Sequence, residues 1–237
     1  MTGASRSLDD VGAVDLPMAL TELHRELPVG ARVDVTFLDQ DDDEIRDLLV
    51  GGGFGVDELV PQQEGRVCAG AVRLRTLPDT VGPGMRLLVC GLNPALYAAD
   101  AGVGFARPGN RFWPAALAAG LADADRDPDG ALRAHSMGMT DLVKRATVAA
   151  NELRPDEYRS GFARTERLVR RLAPRAIVFV GLAGWRAAVD RHARPGVQPH
   201  DVAGAPVYVM PSTSGLNARS SLADLTTHLQ AAAYLAD

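Results

Sequence analysis

Two cysteines and a single lysine, Lys144, are the scarcest reactive groups in this chain of 237 residues. Cys68 and Cys90 are too few for a four-cysteine iron–sulfur cluster or a cysteine-rich zinc site. No disulfide framework is expected either, which fits a reducing cytoplasm. Aromatic residues make up only 5% of the chain. No apolar run approaches the roughly 20 residues that a membrane-spanning helix needs. The opening MTGASRSLDD has no basic start followed by an apolar stretch, so no secretory leader is expected.

Charge is unevenly spread. Residues 1–80 carry 16 acidic and 7 basic side chains, a balance of −9, whereas residues 81–237 carry 14 and 18, a balance of +4. Such asymmetry between halves hints at nucleic-acid contact by the basic half. Two surfaces with unrelated charge explain it equally well.

The pattern divides the chain near residue 80. In the first part, 31–38 alternates like a half-buried strand. Residues 41–50 read as a helix with an acidic start, stopped by Gly51-Gly52-Gly53. Phe54 to Leu59 and Val67 to Leu77 read as extended. The glycine trio lacks the upstream strand and the G-x-G-x-x-G spacing of a nucleotide loop. Pro78 to Pro83 reads as a linker.

From residue 81 onward strands alternate with helices. Arg86 to Cys90 and Ala176 to Gly181 are apolar strands suited to a parallel sheet covered on both faces. Val207 to Met210 is a further strand. Helices are expected over Arg111–Ala119, capped by Asn110, over Glu166–Leu172 and over Ala183–His192. Another opens at the capping-box spacing of Ser221 and Asp224. Leu142-Val143 reads as a loop or short turn. The fold class is therefore α/β: a three-layer α/β/α sandwich with a mainly parallel sheet, preceded by a small α+β module. In such sheets ligands bind beyond the carboxyl ends of the strands. The loops after Cys90 and Met210 should share that rim.

The loop after Cys90 is GLNPALYAADAGVGFARPGNRFW, and it offers almost no acid, base or nucleophile. It carries an amide, Asn93, a lone aromatic, Phe105, and glycines that permit close backbone approach. Few reactions run on such a set. One that does is cleavage of a bond whose leaving group carries negative charge well.

The segments Gly91-Leu92-Asn93-Pro94-Ala95-Leu96, Phe105-Ala106 and Pro108-Gly109-Asn110-Arg111-Phe112-Trp113 resemble the first motif of a known family. So does Met210-Pro211-Ser212-Thr213-Ser214-Gly215-Leu216-Asn217-Ala218-Arg219 resemble its second. A middle element, Gly138 to Val143 with Thr147, is similar as well. The family is that of mismatch-specific uracil-DNA and thymine-DNA glycosylases, within the uracil-DNA glycosylase superfamily. The likeness covers about residues 85–236. The first part of the chain resembles, loosely, the tail of a class I methyltransferase domain and receives no catalytic role.

The resemblance implies a metal-free monofunctional glycosylase that flips uracil, or a related damaged base, out of mismatched duplex DNA. It would act as a monomer, in the cytoplasm at the nucleoid, and begin base-excision repair. Asn93 would orient the attacking water through its side-chain carbonyl. Gly91, Leu92, Ala98, Phe105 and Asn110 would form the base site, with Phe105 stacked on the base. Ser212, Ser214, Gly215, Leu216 and Arg219 would contact DNA, with Leu216 as the wedge that fills the gap. A strand-cutting glycosylase needs an amine to form a Schiff base, and Lys144 stands away from both motifs. The departures are Ala95, where the family has glycine, Ala146, where it has proline, and an added Asn217-Ala218. The alternatives are a non-catalytic damage-binding protein on the same fold and, from the first module alone, a methyltransferase fragment.

Overall fold

The computed structural model describes residues 4–237, folded around two sheets. The first module contains β1 (Ala4–Ser7), α1 (Leu16–Glu26), β2 (Arg32–Leu38), α2 (Asp42–Gly51), β3 (Phe54–Pro61) and β4 (Arg66–Arg73). Its sheet has the order β1-β2-β4-β3, with β1 and β2 parallel and the other pairings antiparallel. Val33, Val35 and Phe37 alternate inward along β2 and meet Leu16, Leu20 and Leu23 of α1 in one core. The sequence reading passed over α1, although those leucines lie at helical spacing and Pro17 sits in its first turn. The helix α2 begins as expected: the Asp41 side chain accepts the Glu44 N–H at 2.8 Å.

The second domain follows the expected class. Strands β5 (Leu87–Gly91), β6 (Met137–Asp141), β7 (Ala176–Val180), β8 (Gly196–Val197) and β9 (Val207–Met210) lie in the order β6-β5-β7-β9-β8. Only β8 runs antiparallel to its neighbour. Alternate side chains enter opposite layers. Leu87, Val89, Val178 and Met210 pack under α4 (Phe112–Ala118) and α8 (Leu222–Tyr234). Leu88, Cys90, Phe179 and Val209 pack under α6 (Pro155–Leu172) and α7 (Leu182–Ala188).

Several expectations are corrected. Two helices were missed, α3 (Leu96–Ala101) and α5 (Pro128–His135); the second carries a clear signal, Asp127 accepting Gly130 N–H ahead of Pro128. The strand β6 was missed because its residues, Met-Gly-Met-Thr-Asp, have little β character and only tertiary burial makes them a strand. The helix α6 extends well upstream of Glu166, and α7 ends before His192.

The expected linker is also overturned. Residues 76–82 are all buried. Asp79 N–H donates to Gly51 O at 2.8 Å, and Thr80 exchanges backbone hydrogen bonds of 2.9 and 2.7 Å with Met139. The segment is buried, bonded to both sheet-bearing parts, and gives Val81 to the core of the second. The charge asymmetry has an internal outlet as well. Arg167 pairs with Asp47 on α2, Arg171 Nη2 lies 2.9 Å from Glu44, and Arg25 meets Asp129 at 3.0 Å. The acidic helix α2 thus faces Arg167 and Arg171 of α6.

Candidate active site

Parallel strands bring their carboxyl ends to one edge. Gly91 ends β5, Asp141 ends β6, and the two are register partners. Met210 ends β9 on the same rim, and its carbonyl accepts Gly181 N–H beyond β7 at 2.9 Å. The loop after β5 is zipped to the loop after β6. Leu142 N–H donates to Gly91 O, Val143 to Leu92 O and Thr147 to Pro94 O, at 2.9, 2.9 and 3.1 Å.

Asn93 sits in this zipped pair of loops. Its Nδ2 donates to Thr147 Oγ1 at 2.8 Å, Arg145 O at 3.0 Å and Pro94 O at 3.2 Å. Two of those partners are carbonyls, which only accept, so the amide must present nitrogen to them. The side-chain carbonyl is thereby turned away from the loops, with no protein donor among the described residues. A carbonyl held that way can accept a hydrogen bond from water and aim its lone pairs.

Phe105 holds a φ of +57°, a left-handed conformation that costs on the order of 1 kcal/mol for a bulky residue. The return is ring placement. Phe105 stacks on Phe112 at 4.2 Å between centroids and 19° between planes. The buried Trp113, whose Nε1 donates to Gly104 O at 2.8 Å, pins the preceding turn.

The sequence reading assigned Asp141 no role. It is 8% exposed and lines a small cleft together with Leu77, Pro78, Thr80, Gly104 and Phe105. A Cβ added at Gly91 would overlap Asp141 Oδ1 and lie 3.3 Å from Phe105 Cζ, so the carboxyl and the ring edge converge on the same glycine. The carboxyl accepts no hydrogen bond from any described protein group; Arg164 and Thr140 donate to the backbone oxygen instead. Burial pushes its pKa up to about 6, against the opposing pull of Lys144 and Arg164. The sequence carried no usable signal for it, because the strand that delivers it, β6, is made by tertiary burial.

Lys144 is nearer the site than its place in the sequence implied, but it is occupied. Its Nζ lies 2.7 Å from Asp79 Oδ1, and Asp79 Oδ2 meets Arg164 at 2.8 Å, all three side chains buried. Thr140 Oγ1 donates to Asp79 Oδ1 at 2.7 Å, and the Thr76 hydroxyl donates to the Lys144 carbonyl. Burial alone would raise the Asp79 pKa, but the two cations and these hydrogen bonds hold it below the ordinary carboxylate range.

The second loop is anchored by a residue outside the expected site, Arg111. Its guanidinium donates to Ser214 O at 3.2 Å, Asn217 O at 2.6 Å and Ser220 O, and its backbone N–H donates to Thr213 O at 2.9 Å. Gly109 and Gly215 approach so closely that a Cβ on the latter would lie 2.9 Å from the Gly109 carbonyl. Asn217 also shapes the loop, donating to Ser212 O at 2.8 Å. Ser212 Oγ and Ser214 Oγ accept the N–H groups of Ser214 and Leu216 at 3.2 and 3.3 Å. Leu216 stands at the tip, 89% exposed. Arg219 is exposed beside it, and Arg107 on the first loop; neither makes an ion pair among the described residues.

Three further expected base-site residues make structural contacts. Leu92 packs with the layer under α7, its Cδ1 facing Gly184. Ala98 is buried in α3, off the wall of the cleft beneath Phe105. Asn110 accepts the Phe112 N–H at 2.9 Å from one residue before the cap position, which Arg111 occupies. Ala95 is accommodated without strain, at φ −71° and ψ 151°. Among the described residues no group of three or more His, Cys, Asp or Glu is placed to hold a metal ion. No helix among them is long and apolar enough to cross a membrane.

A three-layer domain with amide-bearing and glycine-bearing loops on its carboxyl rim belongs to the α/β class whose sites are built beyond the strand ends. Within that class the chain belongs to the uracil DNA glycosylase superfamily, whose family model matches residues 78–236. It is therefore assigned to a superfamily of DNA glycosylases, hydrolases whose substrate is DNA. The solution NMR structure of a putative uracil DNA glycosylase from Methanosarcina acetivorans is similar, at 22% identity and a TM-score of 0.49. That likeness covers 69% of this chain and 98% of the other. Residues 4–77 lie outside the family match.

Proposed function

We propose that this chain is a monofunctional glycosylase that excises uracil from mismatched duplex DNA. Asn93 orients the attacking water, Phe105 stacks on the extruded base and Leu216 fills the vacated stack. The observation that carries this reading is the Asn93 amide, whose nitrogen is held by three acceptors while its oxygen is left to a water. An amide is a weak base, and it suffices because the departing base takes the negative charge while the sugar becomes oxocarbenium-like. The only lysine is tied to Asp79, which supports a hydrolytic rather than a Schiff-base route. Ser212, Ser214, Gly215 and Arg219 would present the second loop to the phosphates, and Gly91 lets Asp141 and the Phe105 ring edge approach its backbone.

Product analysis tests this reading. The protein, incubated with G·U duplex and then alkali, should yield strand breaks at the uracil only after the alkali step. Asn93→Ala should lose at least about a hundredfold in rate. Unchanged product with Asn93→Ala overturns the mechanism. A G·T duplex should be a poorer substrate if the Ala95 methyl narrows the site against a 5-methyl group. A protein that binds G·U duplex without releasing base would be the damage-binding alternative.

A further inference from the structure

The cleft under Phe105 ends in a carboxyl that nothing in the protein satisfies. Asp141 is more than nine-tenths buried, aimed at the Gly91–Phe105 junction, and free of hydrogen-bond donors among the described residues. Its oxygens reach the cleft rather than lying sealed in the core, so a ligand group that enters there can pair with them.

We propose that Asp141 faces the extruded base and acts as a neutral carboxylic acid, donating a hydrogen bond to a ring carbonyl oxygen of the departing base. This rests on the glycosylase reading above and names the chemistry that reading lacks.

Electrostatics decides the protonation state the reaction can use. When the C1′–N bond breaks, its electron pair leaves with the base and the charge spreads onto the ring oxygens. An ionised carboxylate beside those oxygens would oppose the transition state. A protonated one stabilises it, because a donor aimed at developing charge in a dry site acts where it matters most. Water then supplies the oxygen that bonds C1′, and its proton ends on the released base. The Asp141 proton stays on Asp141, so the residue is a donor and not a consumed acid.

The surroundings favour the neutral form. Burial is the largest influence, and Asp79 on the segment before β5 adds like charge. Lys144, on the loop after β6, and Arg164, on α6, oppose it. Both cations are already held by Asp79, at 2.7 and 2.8 Å. Cys90 on β5 is a neutral thiol, its pKa raised by burial. Asp141 therefore titrates near 6, and the favoured bases are those bearing a carbonyl oxygen where Asp141 can reach it.

The test is the pH profile of single-turnover uracil release from G·U duplex, between about pH 5 and about pH 8.5. Wild type should fall by about tenfold per unit above about pH 6. Asp141→Asn keeps a donor and cannot ionise. Its profile should be flat across that range, and it should exceed wild type at about pH 8. Its melting temperature at that pH should also rise, which reports that Asp141 titrates independently of turnover. Parallel profiles for the two proteins, or a wild-type rate that climbs with pH, overturn the proposal while leaving the glycosylase reading intact. Folded wild type that releases no uracil at any pH overturns both.

Discussion

Thr147 Oγ1 accepts Nδ2 of Asn93 at 2.8 Å, across a gap of more than fifty residues in sequence. That bond, with two backbone carbonyls, decides which end of the amide faces the ligand. The hydroxyl is the only side chain in the clamp, and therefore the place where it can be loosened without touching the reacting groups.

Thr147→Val preserves shape and removes the acceptor. Turnover should drop by roughly tenfold to a hundredfold, because a small misplacement of a positioning group costs that much. Affinity for uracil-containing DNA, measured under non-turnover conditions, should change by less than about threefold. A parallel loss of affinity and rate would point to a collapsed loop instead.

Leu216, 89% exposed at the tip of the second loop, should matter only where a base must leave a stack. Flipping costs a few kcal/mol in duplex DNA and little in a single strand. Leu216→Ala should lower activity on G·U duplex by about tenfold or more and leave single-stranded uracil DNA nearly unaffected. Equal losses on both substrates would remove the wedge role.

Arg111 holds that loop by three carbonyls. Arg111→Lys keeps the charge but loses the planar fork that reaches all three. It should reproduce the duplex-selective defect of Leu216→Ala, and the two changes combined should cost less than the sum of their separate effects. Additive losses would mean that Arg111 acts elsewhere.

Asp79 carries the stability argument, and its sign is opposite to that of Asp141. Its pKa is held below the ordinary carboxylate value of 3.8, so its contribution is present above that pH and lost as pH falls below it. Asp141 is raised to about 6, so its cost develops as pH climbs from 3.8 toward that value. Asp79→Asn leaves Lys144 and Arg164 buried without a counter-charge. Denaturant unfolding at neutral pH should show a loss of about 3–5 kcal/mol. Truncation at residue 80 removes Asp79 and Thr76 together, and should destabilise the remaining domain as well. A fully stable truncated domain would contradict that coupling.

Much was legible before any coordinates. The apolar runs at 87–90, 176–180 and 207–210 dictate buried parallel strands, since only a sheet covered on both faces can hide continuous apolar sequence. Asn93, Phe105 and Leu216 were recognisable from their motifs, and the loops that carry them do share one rim. The capping pair Ser221 and Asp224 forms as its spacing requires, at 2.8 Å from Ser221 N to Asp224 Oδ2. These features are local: hydrogen bonds within a few residues, or the burial of a single run.

What the sequence left open depends on groups far apart in the chain. Asp79 looked like part of a proline-bounded linker, yet the low dielectric between two cores gathers Lys144, Arg164 and Thr140 around it. The acidic helix α2 and the arginines of α6 were two charge counts until packing set them face to face. Met137–Asp141 became a strand only because β5 offered it an edge, and that pairing sets Asp141 beside Gly91 on the cleft under Phe105. Sequence alone determined the class of fold and the loops that bear the chemistry. Only the tertiary structure decided which carboxylate lines the cleft under Phe105, because burial and distance set its proton affinity, and neither is a property of a residue in isolation.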